Sequence, residues 1–200
     1  MARPLAVAIT GGIGAGKSEA LRAFARHGAA TISSDDIVHR LLREDDEVRS
    51  AILERFGTRV LDEDGGLDRE RIGDVVFADG NELGWLEALL HPRVAREYLR
   101  WREQLARRPQ PPALCVTEVP LLYEAGGEKR FDAVVTITAP RDLRARRSQA
   151  ARDEREQRLL PDEEKVRRAD FAYVNSGSLE ELDAFVASVV ESLTEQVERE

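Results

Sequence analysis

The run Gly11-Gly12-Ile13-Gly14-Ala15-Gly16-Lys17-Ser18 constrains this chain more than any other feature. It satisfies Gly-x-x-x-x-Gly-Lys-Ser/Thr, the Walker A pattern, which joins a strand to a helix. The flanks agree. Leu5 to Ile9 is a short apolar run that reads as a strand buried on both faces. From Lys17 onward, Ala20, Leu21, Phe24 and Ala25 recur at helical spacing, and Gly28 supplies a stop. The chain has 14 glycines, three lysines and sixteen serines plus threonines in 200 residues. Multiplying those frequencies over the available positions gives roughly one accidental match in a thousand such chains.

Each residue type in the loop has a physical task. The glycines let the backbone wrap closely around oxygens with its N–H groups turned inward. The helix amino terminus adds partial positive charge at the same point. Lys17 offers a mobile full charge to the β- and γ-phosphates, and the Ser18 hydroxyl is a ligand for magnesium. Together these predict binding of a nucleoside triphosphate with Mg2+. They leave the acceptor of the phosphate open, because motors, switches and kinases share the loop.

Ala29 to Ile32 is a second strand candidate, followed by a helix from about Asp35 to Arg43. Strand, helix, strand within thirty residues begins a parallel α/β sheet. Between residues 44 and 107 that rhythm gives way to helices. Val48 to Phe56 is one, and Asp68 caps another running to Phe77 after a turn at Asp62 to Gly66. A further helix from about Asn81 is expected to stop before Pro92, with a separate one over Arg93 to Arg107. A proline-rich connector at 107–112 leads to strands at Ala113 to Val119 and Ala133 to Thr138. A basic helical stretch covers Arg141 to Arg158, and a short helix starts near Pro161. Phe171 to Val174 is the last strand, and Ser178 caps a final helix to about Val197. The expected organisation is one domain, with its core at 1–43 and 113–200, a helical insertion at about 44–107 and a lid at about 141–165.

Two hundred residues with 42% apolar content can bury a sizeable core without disulfides or a structural metal. The formal net charge of −8 argues against a broad nucleic-acid footprint. Cys115 lies alone in an apolar run, which precludes an internal disulfide and fits a reducing compartment. The amino-terminal apolar stretch is too short for a membrane span and lacks a signal-peptide layout. A cytoplasmic protein with no membrane partner is the expectation.

Ligands of an α/β sheet collect at the carboxyl ends of its strands. Ser33, Ser34, Asp35 and Asp36 fall there, after the second strand. A carboxylate at that edge can take a proton from an attacking hydroxyl, yet Asp35 or Asp36 can equally cap the next helix. The basic stretch holds Arg141, Arg144, Arg146, Arg147, Arg152, Arg155 and Arg158. One or two of them are expected to touch phosphate, the others forming a solvated face with Asp153, Glu154 and Glu156. His27 and His39 read as helix-surface residues, and no group has metal-ligand spacing.

Further pieces then fall into a recognisable order. Ile9 to Ser18 is followed by Ser34-Asp35-Asp36-Ile37-Val38-His39, by Leu90-His91-Pro92-Arg93-Val94, and by Val119-Pro120-Leu121-Leu122-Tyr123-Glu124. Ala169-Asp170-Phe171 and Asn175-Ser176-Gly177-Ser178 complete the series. In this order the chain resembles the dephospho-CoA kinase family along nearly its whole length. The resemblance implies an α/β P-loop kinase fold with a five-stranded parallel sheet flanked by helices, a helical substrate-binding insertion and a lid. It implies transfer of the ATP γ-phosphate to the ribose 3′-hydroxyl of dephospho-CoA, the last step of coenzyme A biosynthesis. ATP would be held by Gly12, Ile13, Gly14, Ala15, Gly16, Lys17, Ser18 and Glu19, with Asn175, Ser176 and Gly177 by the adenine. Asp35 would stand at the acceptor hydroxyl, His91 near the acceptor pocket, and Arg146 or Arg147 in the lid. Two departures stand out: Ser33-Ser34-Asp35 replaces the family's frequent Asp-Ala-Asp, leaving Asp36 as a rival acid, and the lid is several residues short. The rival readings are another small-molecule P-loop kinase and a nucleotide-dependent switch, although no Asn-Lys-x-Asp motif is found.

Overall fold

The computed structural model describes residues 3–147 and 159–199, the last three of these as backbone only. The chain divides into two compact units, one of residues 1–33 with 102–200 and the other Ser34–Trp101.

The first unit is built on five parallel strands: β1 (Leu5–Thr10), β2 (Ala30–Ser33), β3 (Leu114–Glu118), β4 (Ala133–Thr138) and β5 (Phe171–Val174). Their spatial order is β2-β3-β1-β4-β5. β1 is central, with Ile9 opposite Glu118 on one side and Val135 on the other. β1 beyond Leu5, β3 and β4 are buried along their length, as their unbroken apolar runs require when helices cover both faces. Alternate residues serve opposite faces. Val7, Ile9, Val135 and Ile137 pack with Phe24 of α1 (Lys17–Arg26) and with Val186 and Val189 of α8 (Leu179–Arg199). Ala8 and Val134 instead pack with Leu122 and Tyr123. A fully buried Phe24 stabilises the first layer by about 1.5–3 kcal/mol.

α6 (Arg141–Arg147) follows β4, and α7 (Asp162–Arg168) begins after Pro161. Arg152, Arg155 and Arg158 of the expected lid lie outside the described residues. Ser178 opens α8 with a reciprocal cap: its Oγ accepts from Glu181 N, and Glu181 Oε2 accepts from Ser178 N. Cys115 is a buried free thiol whose pKa burial pushes up.

The second unit is helical. It contains α2 (Ser34–Glu44), α3 (Asp46–Phe56), α4 (Arg69–Ala78) and most of α5 (Gly80–Ala106). Asp45 caps α3 through Val48 N, and Asp68 caps α4 through Glu70 N and Arg71 N. Between them, Asp62 Oδ1 accepts from the amides of Asp64 and Gly66, forming the expected turn. Phe56 meets Trp85 edge to face at 5.3 Å.

The helix expected to stop before Pro92 does not stop. α5 runs unbroken from Gly80 to Ala106 with Pro92 inside it. Proline removes one i→i−4 donor, here the one that would serve the Ala88 carbonyl. The neighbouring Leu89 carbonyl is met by the Arg93 guanidinium at 2.9 Å. Leu90 and Tyr98, on either side of the proline, are both buried. Packing along the whole helix outweighs the local cost of one lost bond.

Candidate active site

The phosphate loop leaves the carboxyl end of β1 and enters α1 at Gly16. Gly11, Gly14 and Gly16 have φ of 140°, 73° and 103°, values that favour glycine. Close approach adds a second reason. A Cβ on Gly11 would lie 1.9 Å from the Ile137 carbonyl oxygen, and one on Gly16 would lie 2.2 Å from Asn175 Nδ2. The loop is therefore seated on β4 and on the segment after β5, not merely tied to β1.

Lys17 is only 8% exposed, and its Nζ donates to the Gly12 carbonyl at 3.0 Å. The ammonium is folded back over its own loop, where a phosphate oxygen can replace the carbonyl. Ser18 Oγ donates to Glu118 Oε2 at 3.0 Å. Glu118 ends β3, next to β1 in the sheet, and is 6% exposed. A hydroxyl and a buried carboxylate side by side are hard oxygen donors of the type that suits a hard divalent cation. Among the described residues no cluster of three or more metal-ligating side chains occurs.

Arg144 closes the opposite flank. It is buried, its Nε donates to the Ala139 carbonyl at 3.0 Å, and its Nη2 is 3.5 Å from Asp162 Oδ2. A Cβ on Gly12 would fall 2.6 Å from Arg144 Nη1, and one on Gly14 would fall 2.9 Å from the Arg144 carbonyl oxygen. Asn175 is buried, with its amide N bonded to the Thr138 carbonyl at 2.7 Å and Nδ2 donating to the Ala15 carbonyl at 2.8 Å. Two buried cations, Lys17 and Arg144, beside the amino terminus of α1 give this end of the sheet the charge to receive a polyanion.

A family model described as dephospho-CoA kinase matches residues 5–181. A dephospho-CoA kinase of Frankia casuarinae is 37% identical over 94% of this chain and 82% of its own length. That of Aquifex aeolicus is 32% identical over 94% and 97%. The chain belongs to the dephospho-CoA kinase family. The crystal structure of TT1252 from Thermus thermophilus superposes with a TM-score of 0.77 at 33% identity, covering 96% of this chain and 99% of that one.

Among the residues expected from the family resemblance, Gly12 to Ser18 and Asn175 come together in the first unit. Glu19 adjoins them, but its carboxylate is engaged by Arg22 at 2.8 Å and Arg26 at 3.1 Å. The Arg22 hydrogen bond chiefly holds its pKa below the usual range, and its amide is spent on the Gly16 carbonyl. Ser176 and Gly177 are exposed beyond Asn175. Arg147 Nη1 donates to the Asn175 carbonyl at 3.3 Å, whereas Arg146 is exposed and lies 3.5 Å from Asp142. Among the described residues, the arginine seated against Gly12 and Gly14 is Arg144.

In the second unit Asp35 and Asp36 are exposed in the first turn of α2. Asp35 Oδ1 lies 3.5 Å from Arg69 Nη2 at the start of α4. His91 is exposed on α5. Sequence reasoning passed over Glu118 and did not single out Arg144. An acid closing an otherwise apolar strand was a usable signal for Glu118. Arg144 carries none that separates it from six neighbouring arginines.

Proposed function

We propose that this chain transfers the γ-phosphoryl group of ATP to the ribose 3′-hydroxyl of dephospho-CoA, giving CoA and ADP. The family match over residues 5–181 carries this reading, and the phosphate cradle supplies the chemistry it needs. Lys17 leaves the Gly12 carbonyl to bind β- and γ-phosphate oxygens, and Arg144 neutralises charge beside Gly12. Asn175 holds the loop through Ala15, with Ser176 and Gly177 beside the adenine. Ser18 and Glu118 are the residues that would hold Mg2+, which when bound neutralises phosphate charge. Asp35 takes the proton of the acceptor hydroxyl as its oxygen bonds to γ-phosphorus. The β–γ bridging bond then breaks, and its electron pair leaves with ADP. Arg69 steadies the Asp35 carboxylate, and His91 belongs to the acceptor side.

No helix among the described residues is long and apolar enough to cross a membrane. A cytoplasmic enzyme with ATP and dephospho-CoA as its small-molecule partners, and no nucleic acid, is part of the proposal.

The test is incubation of the pure protein with Mg-ATP and, separately, dephospho-CoA, nucleosides and shikimate. The expected result is one ADP per CoA formed, with dephospho-CoA the preferred acceptor. Turnover of another acceptor with no CoA formed would refute the assignment.

A further inference from the structure

Glu124 closes the Val119-Pro120-Leu121-Leu122-Tyr123-Glu124 segment, which the reaction as described does not use. Its Oε1 accepts from the Leu160 amide at 2.9 Å and lies 2.8 Å from Lys165 Nζ. Lys165 is 0% exposed. Charges taken this far from water gain little stability from pairing, and an apolar pair of similar size commonly serves as well or better. What the pair does supply is placement. Leu160 precedes Pro161, which caps α7, and Lys165 lies in α7, so one carboxylate oxygen fixes both the entry and the inner face of that helix. Its far end is fixed too, by Arg168 over the Tyr123 ring at 4.4 Å and by the Arg168–Glu128 pair.

The opening residue of α7 is Asp162, and it connects to the phosphate site. Its Oδ2 lies 3.5 Å from Arg144 Nη2. Where a Cβ on Gly12 would stand, Arg144 Nη1 is at 2.6 Å and Asp162 Oδ1 at 3.3 Å. The contacts run from Glu124 to α7, from Asp162 to Arg144, and from Arg144 to the phosphate loop. Glu118, the residue immediately before this segment, accepts from Ser18 Oγ.

We infer that Glu124 and Lys165 are positioning residues for the nucleotide, setting α7 so that Asp162 orients the Arg144 guanidinium over Gly12. The inference rests on the kinase reading only as far as ATP binding. It is therefore tested by nucleotide affinity without acceptor, which separates its failure from failure of the dephospho-CoA assignment. The decisive variant is the double substitution Glu124→Met and Lys165→Met, with Asp162→Asn as a second, less buried probe of the same route.

The double variant should melt within a few degrees of the parent, yet bind ATP about 10-fold more weakly in a titration. Its KM for ATP should rise alike, with the acceptor KM within about 2-fold. Asp162→Asn should show the same ATP-selective loss. Parental ATP affinity in a folded double variant would overturn the inference and leave the pair a structural one. If the double variant does not fold, Asp162→Asn decides, and parental ATP affinity there overturns the inference equally.

Discussion

Around the phosphate loop several charged groups are withdrawn from water, while in the helical unit most ion pairs have at least one partner in solvent. Lys17, Glu118, Arg144 and Lys165 are all buried. In the second unit the side chains of Asp35 and Arg69 are 59% and 57% exposed, and Arg55–Glu82 and Arg40–Glu97 are also at the surface. An exposed pair is worth about 0–1 kcal/mol and is screened by salt. A buried cation has a fixed direction and acts through a lower effective dielectric. The difference suits the two tasks proposed for these regions: a preorganised receptor for triphosphate, and a solvated carboxylate that meets and releases an acceptor.

Substitutions on the two sides should therefore fail differently. The largest effect is expected from Lys17→Ala, which should lower kcat/KM by about 10³-fold and weaken ATP binding as well, because its charge serves both ground and transition states. Steady-state kinetics with a nucleotide titration checks both, and normal turnover would break the comparison at its strongest point. Asp35→Asn should lower kcat by about 10²-fold while ATP affinity stays within about 2-fold of the parent. Retention of full activity would transfer the role to Asp36.

A smaller contrast uses two glycines of positive φ. Gly16→Ala brings its Cβ against Asn175 Nδ2, and should cost about 2–5 kcal/mol in denaturant melts together with about 10-fold in ATP affinity. Gly57 has a φ of 69° but nothing within 4 Å of an added Cβ. Gly57→Ala should cost about 1–3 kcal/mol and leave ATP affinity unchanged. Equal affinities for the two variants would show that the seat of the loop on Asn175 has no part in binding.

Much of this was legible from the chain. The strand, loop and first helix follow from local pattern, since buried apolar runs, glycine spacing and capping residues act over a few positions. β4 and β5 have the expected bounds, and the Asp68 and Ser178 caps form as read. Pro92 was misleading because its local penalty is smaller than the packing gained by continuing α5.

The sequence by itself determined that a triphosphate loop sits on a parallel sheet, and its ordered motifs pointed to one kinase family. Tertiary structure decided which charges face the loop. Glu118 comes to Ser18 only because β3 pairs with β1, and Arg144, not Arg146, turns toward Gly12 because Ala139 and Asp162 hold its guanidinium. These partners are separated by up to a hundred positions along the chain. Local propensity does not carry information across such distances; strand order and packing do.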